Sequence, residues 1–288
     1  MHAATLPIPF AQRSPRRLAL PNGVELHCVE QGEGVPLVFI HGAMGDWRSW
    51  EPQWDAFIPH YRCISYSRRY SHPNRNAMAS PDHSALHEAQ DLALMLDALG
   101  IARAHLVGSS YGGFTALALA VAQPQRVHAL VAVEPPMMKY AQASEAGREA
   151  EAEFRARVIE PANAAFRAGD DVRAAGLMTG GINGAAAAAA SPEWAARRLQ
   201  NVRAMKMLAL SSDEFPLLAP NALAALPMPV LLLSGQDTPA VHREIFNNVC
   251  AAMPRAQHER VAGAGHGVSR DQPAWFNQRV LSFLSAAR

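Results

Sequence analysis

The stretch that most constrains this chain is residues 104–115, Ala-His-Leu-Val-Gly-Ser-Ser-Tyr-Gly-Gly-Phe-Thr. An apolar, strand-like run enters Gly108-Ser109-Ser110-Tyr111-Gly112, and an Ala/Leu-rich helical run leaves it. This is G-x-S-x-G between a strand and a helix, where the sharp turn strains the backbone of Ser110 and lifts its hydroxyl clear of the sheet. Gly108 and Gly112 flank the serine because a side chain at either place would collide with the neighbouring strand or helix. The following helix points the positive end of its dipole at Ser110, which favours an oxyanion there. The plainer alternative is a tight strand–helix turn without chemistry.

Around this turn, strand-like and helix-like segments alternate. Residues 17–20 and 24–30 read as strands about Pro21-Asn22-Gly23, a hairpin signal. Residues 36–40 form a continuous apolar run, as expected of a strand buried on both faces. Further strands are expected at 62–66, before Gly108, at 127–133, 230–233 and 257–262, with helices over 83–99, 112–121, 240–252 and 273–287. Such alternation predicts an α/β fold, a mostly parallel sheet with helices on both faces. Residues 137–224 interrupt the pattern. They are Ala-, Glu- and Arg-rich, include six alanines at 185–190, and place Trp194, Leu199, Val202, Met205 and Leu208 near helical spacing. A helical insertion is therefore expected at 137–224, between core segments 1–136 and 225–288. Residues 1–14, rich in Pro and Ala, are expected to fray.

A net charge of +1 on 288 residues gives no electrostatic reason to expect nucleic acid or an anionic membrane as partner. Cys28, Cys63 and Cys250 are odd in number and widely spaced, which suggests free thiols in a reducing compartment rather than disulfides or a zinc site. No apolar run approaches a membrane span, and the N-terminal stretch lacks the apolar region of a secretory signal. A cytoplasmic monomer or homodimer is the expectation.

In parallel sheets, function gathers at the carboxyl ends of the strands. Ser110, Asp237, His266 and the His41-Gly42 turn all fall there. A serine hydroxyl needs a base to take its proton as it attacks. His266, in the Gly-rich turn Ala264-Gly265-His266-Gly267, is the candidate. The imidazole needs a carboxylate to hold its tautomer, and Asp237, in Gly235-Gln236-Asp237, is the first choice. Glu134, closing the strand at 127–133, is the rival acid. Charge developing on a carbonyl oxygen requires fixed donors, expected from the backbone amides of Tyr111 and Ala43. His41 is expected to brace the loop rather than to act on substrate. No metal ligand cluster is visible, and neither metal nor organic cofactor is implied.

Together, His41-Gly42, the Gly108–Gly112 elbow, Gly235-Gln236-Asp237 and Gly265-His266-Gly267 resemble the α/β-hydrolase superfamily over about residues 17–285. The resemblance implies an eight-stranded sheet, with 137–224 as a helical cap over the site. A serine in place of an aspartate at the elbow argues against the epoxide hydrolase and haloalkane dehalogenase branches. It favours a carboxylesterase-like serine hydrolase that cleaves a small-molecule ester through an acyl-enzyme on Ser110. A carbon–carbon bond hydrolase of the meta-cleavage-product type, and an acyltransferase or perhydrolase, are alternatives on the same triad. A non-catalytic binding module is the remaining one.

For substrate contacts, Met44 and Met138 are candidates, since methionines fill adaptable apolar pockets. Arg68 and Arg69 end a strand on the active face. Either is a candidate to clamp a substrate carboxylate, with structural pairing to Asp or Glu as the alternative.

Overall fold

The computed structural model describes residues 10–78, 81–184 and 191–287. All eight expected strands join one sheet: β1 (Arg16–Ala19), β2 (Glu25–Gln31), β3 (Pro36–Ile40), β4 (Arg62–Ser67), β5 (Ala104–Ser109), β6 (Val127–Val133), β7 (Val230–Gly235) and β8 (Gln257–Val261). Their order is β1-β2-β4-β3-β5-β6-β7-β8. β2 pairs antiparallel with β1 and β4, and every other pairing is parallel. Parallel neighbours need crossover connections, and these are helical. The core helices are α1 (Glu51–Phe57), α2 (Ala85–Ala98), α3 (Tyr111–Ala122), α10 (Ala240–Ala252), α11 (Val268–Asp271) and α12 (Pro273–Ala286).

The apolar run of β3 shows why it lies centrally. Val38 and Ile40 join one core cluster, with Leu92 and Leu96 of α2 and Phe114 of α3. Leu37 and Phe39 join the other, with Trp54 of α1 and Phe276 of α12. Alternate side chains of a strand point to opposite faces, so a strand covered on both sides must be apolar throughout. Local signals set the helix ends. Ser84 caps α2 by accepting a hydrogen bond from the Leu86 amide, and Gly100 supplies the positive φ, 66°, just beyond its end.

Between β6 and β7 the described residues form helices α4 (Glu145–Phe154), α5 (Glu160–Arg167), α6 (Asp171–Asn183), α7 (Pro192–Gln200), α8 (Val202–Ala209) and α9 (Pro220–Ala224). These carry a third cluster of their own, including Ile159, Phe166, Met178 and Met205, into which Met44 reaches from the loop after β3. Buried Asn201 ties the junction of α7 and α8 to the core. Its side-chain amide donates to Asp46 at 2.8 Å, and its oxygen accepts from the His72 backbone amide at 2.8 Å. The six alanines at 185–190 lie outside the described residues.

The expectation of a frayed N-terminal segment needs correction at Phe10. That side chain is buried between Trp47 and Trp54, with ring centroids 5.2 and 4.6 Å away, because an aromatic face is better packed than wet. The three cysteines are free. Among the described residues no helix is long and apolar enough to cross a membrane.

Candidate active site

At the end of β5 the chain turns into α3 through Ser110, which holds φ 52° and ψ −124°. Positive φ in a non-glycine residue is strained and persists only where its surroundings enforce it. Here the Ser110 amide donates to the Val133 carbonyl at 2.7 Å, and the Ser110 carbonyl accepts from the Gly113 amide at 2.8 Å. The flanking glycines are required by close approach. A Cβ on Gly108 would run into the Gly112 carbonyl, and one on Gly112 into the Ile40 carbonyl. A Cβ on Gly42 would stand 3.3 Å from that of Ser110, so the loop after β3 lies directly against the serine. The amides of Ala43 and Tyr111 donate no hydrogen bond among the described residues, and both residues line a cavity that Ser110 also lines.

His41 braces that loop, as expected. Its Nε2 accepts from the Arg68 amide at 3.0 Å, so Nδ1 carries the proton and donates to the Gly42 carbonyl at 2.8 Å. Burial, reinforced by Arg68, pushes its pKa down to about 3, and the ring is a neutral strut.

Arg68 and Arg69 do not reach the substrate space. Arg68 is buried, donating from Nη1 to Glu88 at 2.9 Å and from Nη2 to the Gly42 carbonyl at 3.2 Å, with its guanidinium over the Tyr111 ring. Arg69 makes two 2.7 Å hydrogen bonds to Asp91. The expected carboxylate clamp is thus corrected: α2 presents Glu88 and Asp91, one turn apart, and each takes one of the two arginines.

The carboxylate that meets His266 is Glu134 and not Asp237. His266 Nδ1 lies 2.6 Å from Glu134 Oε2, whereas the Asp237 side chain is exposed and only its backbone amide is used, donating to the Ala264 carbonyl at 2.9 Å. Glu134 follows β6 immediately and holds φ 41°, the other non-glycine residue with positive φ among those described. That turn swings its carboxylate under the end of β7 and the loop that follows. There Ser234 Oγ and the Gly235 amide donate to Oε1 at 2.7 and 2.8 Å, and Thr238 Oγ1 donates to Oε2 at 2.8 Å. Burial works to raise the Glu134 pKa, but the hydrogen bond and charge of His266 and the donors around it bring the net shift downward. The end of β7 and the loop of Asp237 therefore supply donors to the Glu134 carboxylate rather than a carboxylate to His266.

His242 of α10 had no sequence signal. Its ring stacks on that of His266, centroids 4.2 Å apart and planes 29° apart. Burial, followed by the neighbouring His266, pushes its pKa down to about 3, so a neutral ring supports the imidazole. Glu134, His242 and His266 each place a possible ligand atom within 4.8 Å of the others, which makes them the one candidate metal cluster among the described residues. The carboxylate already accepts four hydrogen bonds, which a metal ion would have to displace.

Ser110 lies between two spaces. A cavity of about 260 Å³ is lined by Ser110, His266, Met44, Trp194 and several arginines. A smaller one, about 40 Å³, is apolar and lined by Met138, Met178, Met205, Leu208 and Phe215. Met44 thus lines the larger space and Met138 the smaller. His266 Nε2 has no hydrogen-bond partner.

A strained serine at a strand end, on a cavity also lined by an imidazole that a buried carboxylate holds, marks an enzyme with a nucleophile elbow. Residues 35–273 match the model of the alpha/beta hydrolase fold, and the chain belongs to that family. Carboxylesterase YbfK of Bacillus subtilis (strain 168) is 25% identical over 271 residues, spanning 90% of this chain and 83% of the relative. The crystal structure of carboxylesterase CesB (YbfK) from Bacillus subtilis superposes with a TM-score of 0.72 at 22% identity, covering 95% of this chain and 92% of that one. A thermophilic esterase from Thermogutta terrifontis gives a TM-score of 0.72 at 22% identity, with 96% and 99% covered.

Proposed function

We propose that this enzyme hydrolyses small carboxylic esters through an acyl-enzyme on Ser110, with His266 as base and Glu134 as the acid that orients it. The observation that carries the reading is the 2.6 Å contact between His266 Nδ1 and Glu134, which leaves His266 Nε2 without a partner beside the cavity that Ser110 lines. An imidazole whose Nδ1–H is held by a carboxylate exposes a basic Nε2, which is what a serine nucleophile requires.

The steps follow from these groups. Ser110 Oγ attacks the ester carbonyl while its proton passes to His266 Nε2, and Glu134 stabilises the imidazolium. The oxyanion is met by the amides of Ala43 and Tyr111 and by the N-terminus of α3; a single such donor is worth about 2.7–4 kcal/mol. Collapse expels the alcohol, which leaves with the proton from His266. Water, deprotonated by His266, then attacks the acyl-Ser110 ester, and the acid departs as Ser110 recovers its proton. The helices between β6 and β7 act as a cap that closes this space, and the three free thiols suit a cytoplasmic setting.

A fluorophosphonate probe together with p-nitrophenyl acetate tests the proposal. Labelling of Ser110, abolished in Ser110→Ala and strongly slowed in His266→Ala, is expected alongside ester turnover. A folded protein that neither labels nor turns over the ester overturns it.

A further inference from the structure

The 260 Å³ cavity is lined by four arginines, Arg48, Arg197, Arg198 and Arg270, against two acids, Asp46 and Glu51. Three of the arginines are paired with carboxylates. Arg48 bonds Asp46 at 2.6 Å, Arg197 lies 3.0 Å from Glu193 and 3.5 Å from Glu51, and Arg270 lies 3.0 Å from Asp271. Arg198 has no carboxylate among the described residues. It donates from Nε to Thr179 Oγ1 at 2.8 Å and from Nη2 to the Met44 sulfur at 3.2 Å, and Nη1 makes no hydrogen bond among the described residues. Its guanidinium lies 4.6 Å from the centroid of the Trp194 ring, and that of Arg270 lies 5.2 Å from the same ring.

This arrangement is expensive for the protein alone. A half-buried guanidinium, close to a second one and held by a hydroxyl, a thioether and an indole, lacks the countercharge that ordinarily accompanies it. Burial, with Arg270 beside it, pushes its pKa down to about 9, so it remains charged at neutral pH yet is destabilised in that state. The hydroxyl and the indole fix the direction of the fork, and an oriented guanidinium is suited to two parallel hydrogen bonds with a carboxylate.

We propose that Arg198 anchors a free carboxylate on the substrate, so that the enzyme's esters are small ones bearing a second, ionised carboxyl group. The proposal deepens the esterase reading and rests on it for the second half of the claim. The apolar space beyond Ser110 takes the uncharged part of the same molecule. Arg198 holds the role that the sequence offered to Arg68 and Arg69, whose charges are already spent on Glu88 and Asp91.

Binding to the Ser110→Ala protein by titration calorimetry, followed by kinetics on the intact enzyme, is the test. The probes are monomethyl glutarate against dimethyl glutarate, with the charge in the acyl half, and acetoxyacetate against its ethyl ester, with the charge in the alcohol half. One of the two anions is expected to bind at least about tenfold tighter than its neutral partner, the difference expected of a charge-assisted bidentate pair. Which pair shows it tells which half of the ester carries the charge. Arg198→Met is expected to remove the preference, and Arg198→Lys to keep part of it. Equal binding of the charged and neutral members of both pairs overturns the proposal, as does a preference that survives in folded Arg198→Met. Because binding is read without turnover, anion selectivity in a protein that cleaves neither ester would sink the esterase reading and leave the anion site standing.

Discussion

Two buried glutamates, each bonded to a histidine, sit beneath the active face of this protein. Glu88 accepts from His83 Nε2 at 2.9 Å and from Arg68 at 2.9 Å. Glu134 meets His266 at 2.6 Å and accepts otherwise only from neutral groups, Ser234, Gly235 and Thr238. The difference lies in the permanent cation. Arg68 cancels the charge of Glu88 whatever His83 does, so that cluster is a fixed strut that also holds the Gly42 carbonyl. Glu134 has no arginine or lysine partner among the described residues, and in the proposed mechanism its charge faces the imidazolium that forms on His266. The histidines differ in step with this. His266 borders the cavity that Ser110 lines, whereas His83 borders none of the spaces around the serine. The two carboxylates thus differ in whether a permanent cation already accompanies them.

The sharpest way to break this comparison is to remove the charge of Glu134. Glu134→Gln is expected to lower kcat by about 10³–10⁴-fold, the scale seen when a triad acid is neutralised. Asp237→Asn, an exposed change, is expected to leave kcat near the starting value, and steady-state kinetics on a p-nitrophenyl ester compare the two. If Asp237→Asn shows the large loss and Glu134→Gln does not, the assignment of the acid is reversed.

Next in size is Glu88→Gln. It leaves the buried Arg68 guanidinium without its partner, and breaking one side of a buried pair typically costs about 3–5 kcal/mol. Denaturant unfolding is expected to show that loss, with kcat at low temperature falling far less than in Glu134→Gln. The pH dependence has a definite sign. Burial alone would raise the Glu88 pKa, but Arg68 and His83 hold it at about 2, below its unfolded value. Its stabilisation is therefore complete above the unfolded carboxylate range and is lost as pH falls through about 2. A kcat loss equal to that of Glu134→Gln with unchanged stability would erase the distinction between the two clusters.

The sheet and the elbow were legible because periodicity and glycine spacing are local properties. Residues 36–40 had to be apolar at every position, and Gly108 and Gly112 had to lack side chains. The imidazole was legible because His266 follows the last strand in a glycine turn. Its carboxylate partner was not, because Glu134 and Asp237 follow adjacent parallel strands, and nothing local says which carboxylate turns inward. That choice depends on a positive φ at Glu134 and on donors that lie 100, 101 and 104 residues away in the chain. Pairing of Arg68 and Arg69 had a usable signal, two acids one turn apart on the helix that follows. Arg197 and Arg198 had a local signal that went unused: four residues before Arg197 stands Glu193, which pairs with it, and four before Arg198 stands Trp194, which offers a ring and no charge.

The smallest expected effect sharpens the comparison from the side of His242. This ring is buried against His266, with Glu134 the nearest acid, and its pKa falls from 6.5 to about 3, chiefly through burial. The folded state therefore refuses a proton that the unfolded chain accepts, and stability declines as pH drops from 6.5 towards 3. His242→Phe keeps an aromatic ring on His266 and removes this titration. Its stability at pH 7 is expected to fall by about 1 kcal/mol, because the Ile182 carbonyl loses its partner. Its decline between pH 6.5 and 4.5 should nonetheless be shallower than that of the unsubstituted protein. That window lies above the range in which Glu88 titrates, and His41, also depressed to about 3, contributes equally to both proteins. Urea unfolding at several pH values reads the slopes. Parallel slopes would mean that His242 gains its proton without penalty, and the neutral stacking ring beneath His266 would have to be abandoned.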